Sequence, residues 1–143
     1  MADLEIEQEL ALIEASLAAA GELGGDITET VFTEFYARDA AAAEVMQHAD
    51  EHMQGRMFSG VVELLLEDKH LQPGGYLDWE LENHLLAYGA EASMYQSFFD
   101  ALLTVVEQVT GTAWQNDWSR AWQNRVARIM AQVNAFDESR LAN

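Results

Sequence analysis

The chain lacks cysteine, has one proline and carries only seven lysines and arginines against 25 aspartates and glutamates. Without cysteine there can be no disulfides, thiolate metal sites, c-type haem attachment or thiol-linked bilins. The single proline and the long Ala/Leu/Glu-rich periodic stretches argue for an all-helical chain. The formal net charge is −18, and the first basic residue is Arg38. Phosphate backbones and anionic bilayers are bound through lysine and arginine, so nucleic acid and membrane surfaces are poor partners. Such a charge can attract a cationic protein; a strongly hydrated surface is the simpler reading. No apolar run reaches membrane-spanning length, and the acidic start lacks the basic region of a signal peptide. The expectation is a cytoplasmic, soluble protein.

Half of the 143 residues are hydrophobic, including 4 Trp, 4 Tyr, 6 Phe and 6 Met. That is enough for one well-filled core, and residues 1–143 read as a single domain. Apolar spacing predicts a helix over residues 4–20, with Ile6, Leu10, Ile13 and Leu17 on its stripe and Gly21, Gly24 and Gly25 at its end. Asp26 and Glu29 have capping-box spacing before a second helix that buries Ile27, Val31, Phe32, Phe35 and Tyr36. An alanine-rich turn follows over residues 39–44. A helix over 50–67 would turn Gln54, Met57, Phe58, Val61, Val62 and Leu65 inward, and Arg56, Ser59 and Glu63 outward. Pro73-Gly74-Gly75 breaks the chain before a short helix ending near Gly89. Two long helices close it, over about 92–109 and 114–136, separated by a break at Gly111.

The short helix carries His84 on the face of Leu77, Leu81 and Tyr88. Its imidazole therefore points at an apolar interior. Two readings are open: a core histidine bonded to a carbonyl, or a metal ligand. Asp78, Glu80 and Glu82 fan around the same helix as a solvated face. His48 and His52 have chelating spacing if helical, although an exposed polar helix start is the simpler explanation. His70 lies in a loop and is expected to be exposed. There is no Gly-rich phosphate loop, HExxH, EF-hand ligand ladder or GxSxG elbow.

Taken together, this layout resembles the globin family, and bacterial single-domain haemoglobins in particular. The similarity rests on Val31-Phe-Thr-Glu-Phe-Tyr36, Met53-Gln-Gly-Arg-Met-Phe58, the run from His84 to Gly89, Ala90 and Tyr95, and Arg120-Ala-Trp122. It covers residues 4–136. It implies an all-α, globin-like fold of six to eight helices around a haem pocket, with non-covalent haem b held by His84. It further implies that Gln54 faces the bound gas and that Phe32 covers it. Met46 and Phe58 would pack on the ring, Leu81 would share the face of His84, and Phe98 and Phe99 would line the far side. Two positions depart from the family pattern. His84 stands five residues before Gly89, where many relatives have four, and the four-residue position is Leu85. Either the corner holds an extra residue, which the Leu77/Leu81/Tyr88 face supports, or ligation is altered. Met46 replaces a haem-packing phenylalanine; its flexible thioether can cover a porphyrin edge.

The activity implied is reversible binding of dioxygen or another diatomic gas, for storage, sensing or nitric oxide detoxification. Nitric oxide dioxygenase-type turnover would need a separate reductase. Two other readings stay open: a haem-free regulatory domain that binds a partner protein, and a structural helical oligomer. A monomer or homodimer is compatible with the sequence.

Overall fold

The computed structural model describes residues 5–72, 75–81 and 91–142, and these residues contain helices and no strand. Seven α-helices are described: α1 (Ile6–Gly24), α2 (Thr28–Arg38), α3 (Ala40–Val45), α4 (Glu51–Leu66), α5 (Tyr76–Leu81), α6 (Ala92–Thr110) and α7 (Asn116–Ala142). Two 3₁₀ turns, Asp68–Leu71 and Gly111–Ala113, follow α4 and α6. None of the described helices is long and apolar enough to cross a membrane.

Four of the expected helices, α1, α2, α4 and α6, form with shifted ends, as does α7; the alanine-rich stretch expected as a turn is instead the helix α3, and the helix expected to end near Gly89 is described only over α5, the rest lying outside the described residues. α1 runs past Gly21 and stops at Gly25, whose φ of 68° lies in the left-handed region that glycine tolerates. Asp26 does not make the expected capping box. Its Oδ1 accepts from both the backbone N–H and the hydroxyl of Thr28, at 2.9 and 2.7 Å, and Ile27 becomes the capping residue of α2. These two bonds hold the exposed Asp26 carboxyl below its usual pKa. Asp39 and Asp50 cap α3 and α4 by accepting from the amides of Ala42 and Met53. Gly111 ends α6 with a φ of 53°.

α6 lies against α2 and α1, and α1 lies against α7. α6 buries Phe98, Leu102 and Val105 on one flank and Phe99 and Val106 on the other, as its spacing predicts. α4 buries Gly60, Leu64 and Leu65, whereas Val61 and Val62, expected inside, are only partly buried. Each large apolar side chain fully withdrawn from water contributes roughly 1.5–3 kcal/mol.

Polar side chains fix the last helix in place. Trp122 is fully buried, and its Nε1 donates to Ser16 Oγ of α1 at 2.8 Å. Ser16 in turn donates to the Ile13 carbonyl at 2.6 Å. One turn on, the fully buried Arg125 reaches the end of α4. Its Nε and Nη2 donate to the Leu64 carbonyl at 3.1 and 2.7 Å, Nη2 also to the Glu67 carbonyl, and Nη1 to Asp68 Oδ1 at 2.9 Å. Helix ends leave carbonyls without donors, and this guanidinium supplies them from another helix. Burial pulls the Arg125 pKa down, and Asp68 opposes that pull.

Arg125→Ala should leave those carbonyls dry and unpaired and open a cavity. A loss of about 3 kcal/mol is expected, the scale of a broken buried network. Urea denaturation followed by helical circular dichroism measures it. Arg125→Lys, lacking the planar fork, should recover only part of the loss.

Candidate functional site

α2 and α4 bring Gln54 beside Tyr36. The half-buried amide Nε2 donates to the Tyr36 hydroxyl at 3.1 Å. The Tyr36 ring lies 5.8 Å from Phe32 and 5.7 Å from Phe35. From α6, Phe98 meets Phe32 and Phe35 edge-on, at 5.3 and 5.1 Å. Edge-to-face pairs of this kind contribute about 0.5–1.5 kcal/mol beyond their area. The result is a packed aromatic cluster with one amide and one phenol at its edge.

The residues singled out from the sequence fall into groups. Gln54, Phe32 and Phe98 join through Tyr36 into one cluster. Phe99 and Leu81 are buried in the same core, and Met46 and Phe58 are partly buried against it. Phe58 also lines an apolar cleft between α1 and α4 with Leu17, Ile27, Val62 and Leu66. His84 lies outside the described residues, as do Leu85, Tyr88 and Gly89. Tyr36, which the sequence places only in the core, belongs to the cluster. Its position one turn after Phe32 was the available signal.

A second polar cluster appears where the sequence suggested only solvent. Glu80, expected on a solvated face, is 8% exposed, and Tyr76 hydrogen-bonds to its carboxyl. Asp78 Oδ1 accepts from Gln132 of α7 at 2.8 Å. Glu82 lies outside the described residues. The Tyr76 hydroxyl passes so close to Gly60 that a Cβ there would sit 2.8 Å from it. Burial, and then the Glu80 carboxylate, push the Tyr76 pKa up to about 12. Burial, Glu80 and Tyr76 push Tyr95 up in the same direction.

His70 also departs from expectation. Its side chain is only 15% exposed, with Nε2 at 2.5 Å from Glu67 Oε2 and 3.8 Å from Glu63 Oε2. By contrast, His48 and His52 are both exposed and do not share a helix. The Asp50 cap starts α4 at Glu51, leaving His48 in the preceding turn, so the helical chelate spacing is not realised.

No protein-family model, curated protein or solved structure matches the chain.

The Tyr76 shift has a measurable consequence. Above pH 10, the ordinary tyrosine value, an unfolded chain loses this proton while the folded one keeps it until about pH 12. Stability contributed by Tyr76 is thus complete below pH 10 and is lost as pH rises from there through about 12. A phenolate absorbance titration should show one tyrosine ionising near 12. In Glu80→Gln that tyrosine should move down only part of the way to 10, because burial, the larger cause, remains.

Proposed function

We propose that this chain is a globin-like protein that holds haem b non-covalently and binds dioxygen or another diatomic gas reversibly. The observation that carries the reading is the half-buried Gln54 amide bonded to Tyr36 at the edge of the Phe32/Phe98 cluster. The donor set suits the gas side of a haem: one neutral amide, one phenol, and aromatic walls that exclude water. His84 would hold the iron. Phe32, Met46, Phe58, Leu81, Phe98 and Phe99 would form the surrounding walls. A bound ferrous haem supplies the open coordination position at which such a gas binds.

The residues of the chain do the rest. Gln54 donates through its amide, and Tyr36 accepts from that amide, limiting its rotation. A neutral donor favours a ligand that gathers negative charge over one that does not. Sustained nitric oxide dioxygenation would need electrons from a separate reductase, and the −18 charge favours a basic one.

The second reading is a haem-free globin-like domain that binds a partner protein. The 5.3 Å contact between Phe32 and Phe98 favours it, because the chain's own rings then fill the space between α2 and α6. A visible absorption spectrum of the folded protein supplied with haem separates the two. The haem reading expects a strong Soret band that changes in His84→Ala, with weaker retention of the cofactor. A colourless folded protein excludes haem, and an unchanged His84→Ala spectrum in both redox states excludes that ligand.

Gln54→Leu removes the amide donor at similar volume. A donor worth about 1 kcal/mol or more implies dioxygen release faster by roughly five-fold or more. Carbon monoxide, a weaker acceptor, should respond less. Flash photolysis and stopped-flow exchange measure both. Equal changes for the two gases would mean a steric effect instead.

A further inference from the structure

We propose that Glu63, Glu67 and His70 form a binding site for a divalent transition metal ion of the zinc class, at the junction of α4 with the 3₁₀ turn Asp68–Leu71. One ligand atom from each residue lies within 4.8 Å of the others. Glu63 and Glu67 are one helical turn apart at the end of α4. At Glu67 the backbone leaves the helix, with φ −126° and ψ 113°, and the 3₁₀ turn carries His70 back over both carboxylates.

The spacing suits a small ion. Bonds of about 2.0 Å in a tetrahedral shell put ligand atoms about 3.3 Å apart. His70 Nε2 and Glu63 Oε2 already stand at 3.8 Å. The shorter His70–Glu67 contact opens by a carboxylate rotation once an ion replaces the shared hydrogen.

The imidazole is held ready. Its ring meets Tyr76 edge-on at 5.4 Å, and Trp79 stacks on the other part of that tyrosine at 5.9 Å. Little side-chain freedom is left for binding to remove. Among the described residues, neither carboxylate pairs with a lysine or arginine. A cleft of about 510 Å³, lined by Glu63, Tyr76, Gly60, Ser59 and His52, opens beside Glu63. A water or an exogenous fourth ligand would complete the coordination shell, as in open zinc sites. One imidazole with two carboxylates selects zinc, nickel, cobalt or copper over calcium and magnesium, which prefer shells of oxygen alone. The site shares no residue with the Gln54–Tyr36 cluster. Its ion would tie the end of α4 to the turn that leads towards α5, stabilising the folded chain as a ligand of the native state does.

The test is isothermal titration of the chelator-treated, purified protein with zinc sulfate, paired with thermal unfolding with and without the ion. One zinc per chain and a raised Tm are expected. His70→Gln should weaken binding at least about tenfold, since loss of even an outer-shell partner has that effect at metal sites. His48→Gln should bind zinc as the parent does. If His70→Gln fails to fold, Glu63→Gln, on an exposed position, decides in the same way. The proposal is overturned if the parent takes up no stoichiometric zinc, if His70→Gln and Glu63→Gln bind undiminished, or if calcium binds as tightly as zinc.

Discussion

The buried guanidinium of Arg125 is the contact on which most of the remaining architecture depends. It belongs to α7, yet it completes α4 by donating to the Leu64 and Glu67 carbonyls, and it holds Asp68 at the start of the following turn. The direction of α4 is thereby set relative to α7. Three residues earlier, Trp122 grips Ser16, so the same stretch of α7 also locates α1. Gln54 sits on α4, and His70 sits on the turn that Arg125 and Asp68 anchor. Both candidate sites thus inherit their positions from one buried cation.

Basic residues are scarce, and their use is correspondingly telling. Arg38 bonds Glu34 on its own helix and crosses to Thr104 of α6 at 2.8 Å. Arg128 crosses from α7 to the fully buried Glu9 of α1. Glu9 Oε1 is left without a hydrogen bond among the described residues, and the Arg128 bond together with the nearby charge of Arg125 offsets the burial of that carboxylate. Three of the seven cations therefore serve as ties between helices. What is left of the surface charge is overwhelmingly negative, which suits attraction of a cation, whether a metal ion or a basic protein.

The two sites differ in chemical character because their surroundings differ. Around Gln54 the neighbours are aromatic rings and a phenol, an environment that strengthens a neutral hydrogen bond and penalises charge. Around His70 the neighbours are the exposed carboxylates of Glu63 and Glu67, an environment that rewards a cation. Tyr76 and Glu80 adjoin the second site, and burial, with the Glu80 carboxylate beside it, keeps the phenol protonated above its ordinary range.

The linear pattern was sufficient for the helical class, for α6 almost to the residue, and for its end at Gly111, because amphipathic spacing and a left-handed glycine are local properties. It also placed Phe32, Phe98 and Gln54 on helices that do meet. It did not determine which side of α4 turns inward. Apolar residues run almost unbroken from Val61 to Leu66, so no single face stands out, and contact with the other helices selected Gly60, Leu64 and Leu65. Nor could it show that Glu9, Glu80 and Arg125 are buried. A charged residue reads as solvated until a partner is found for it, and Arg125 and Leu64 are 61 positions apart, Glu9 and Arg128 119. His70 is the clearest instance. In the sequence it is a polar loop residue. Only the fold of the turn over the end of α4, and the ring of Tyr76 behind it, bring it together with Glu63 and Glu67, because convergence of side chains from separate elements leaves no trace in local periodicity.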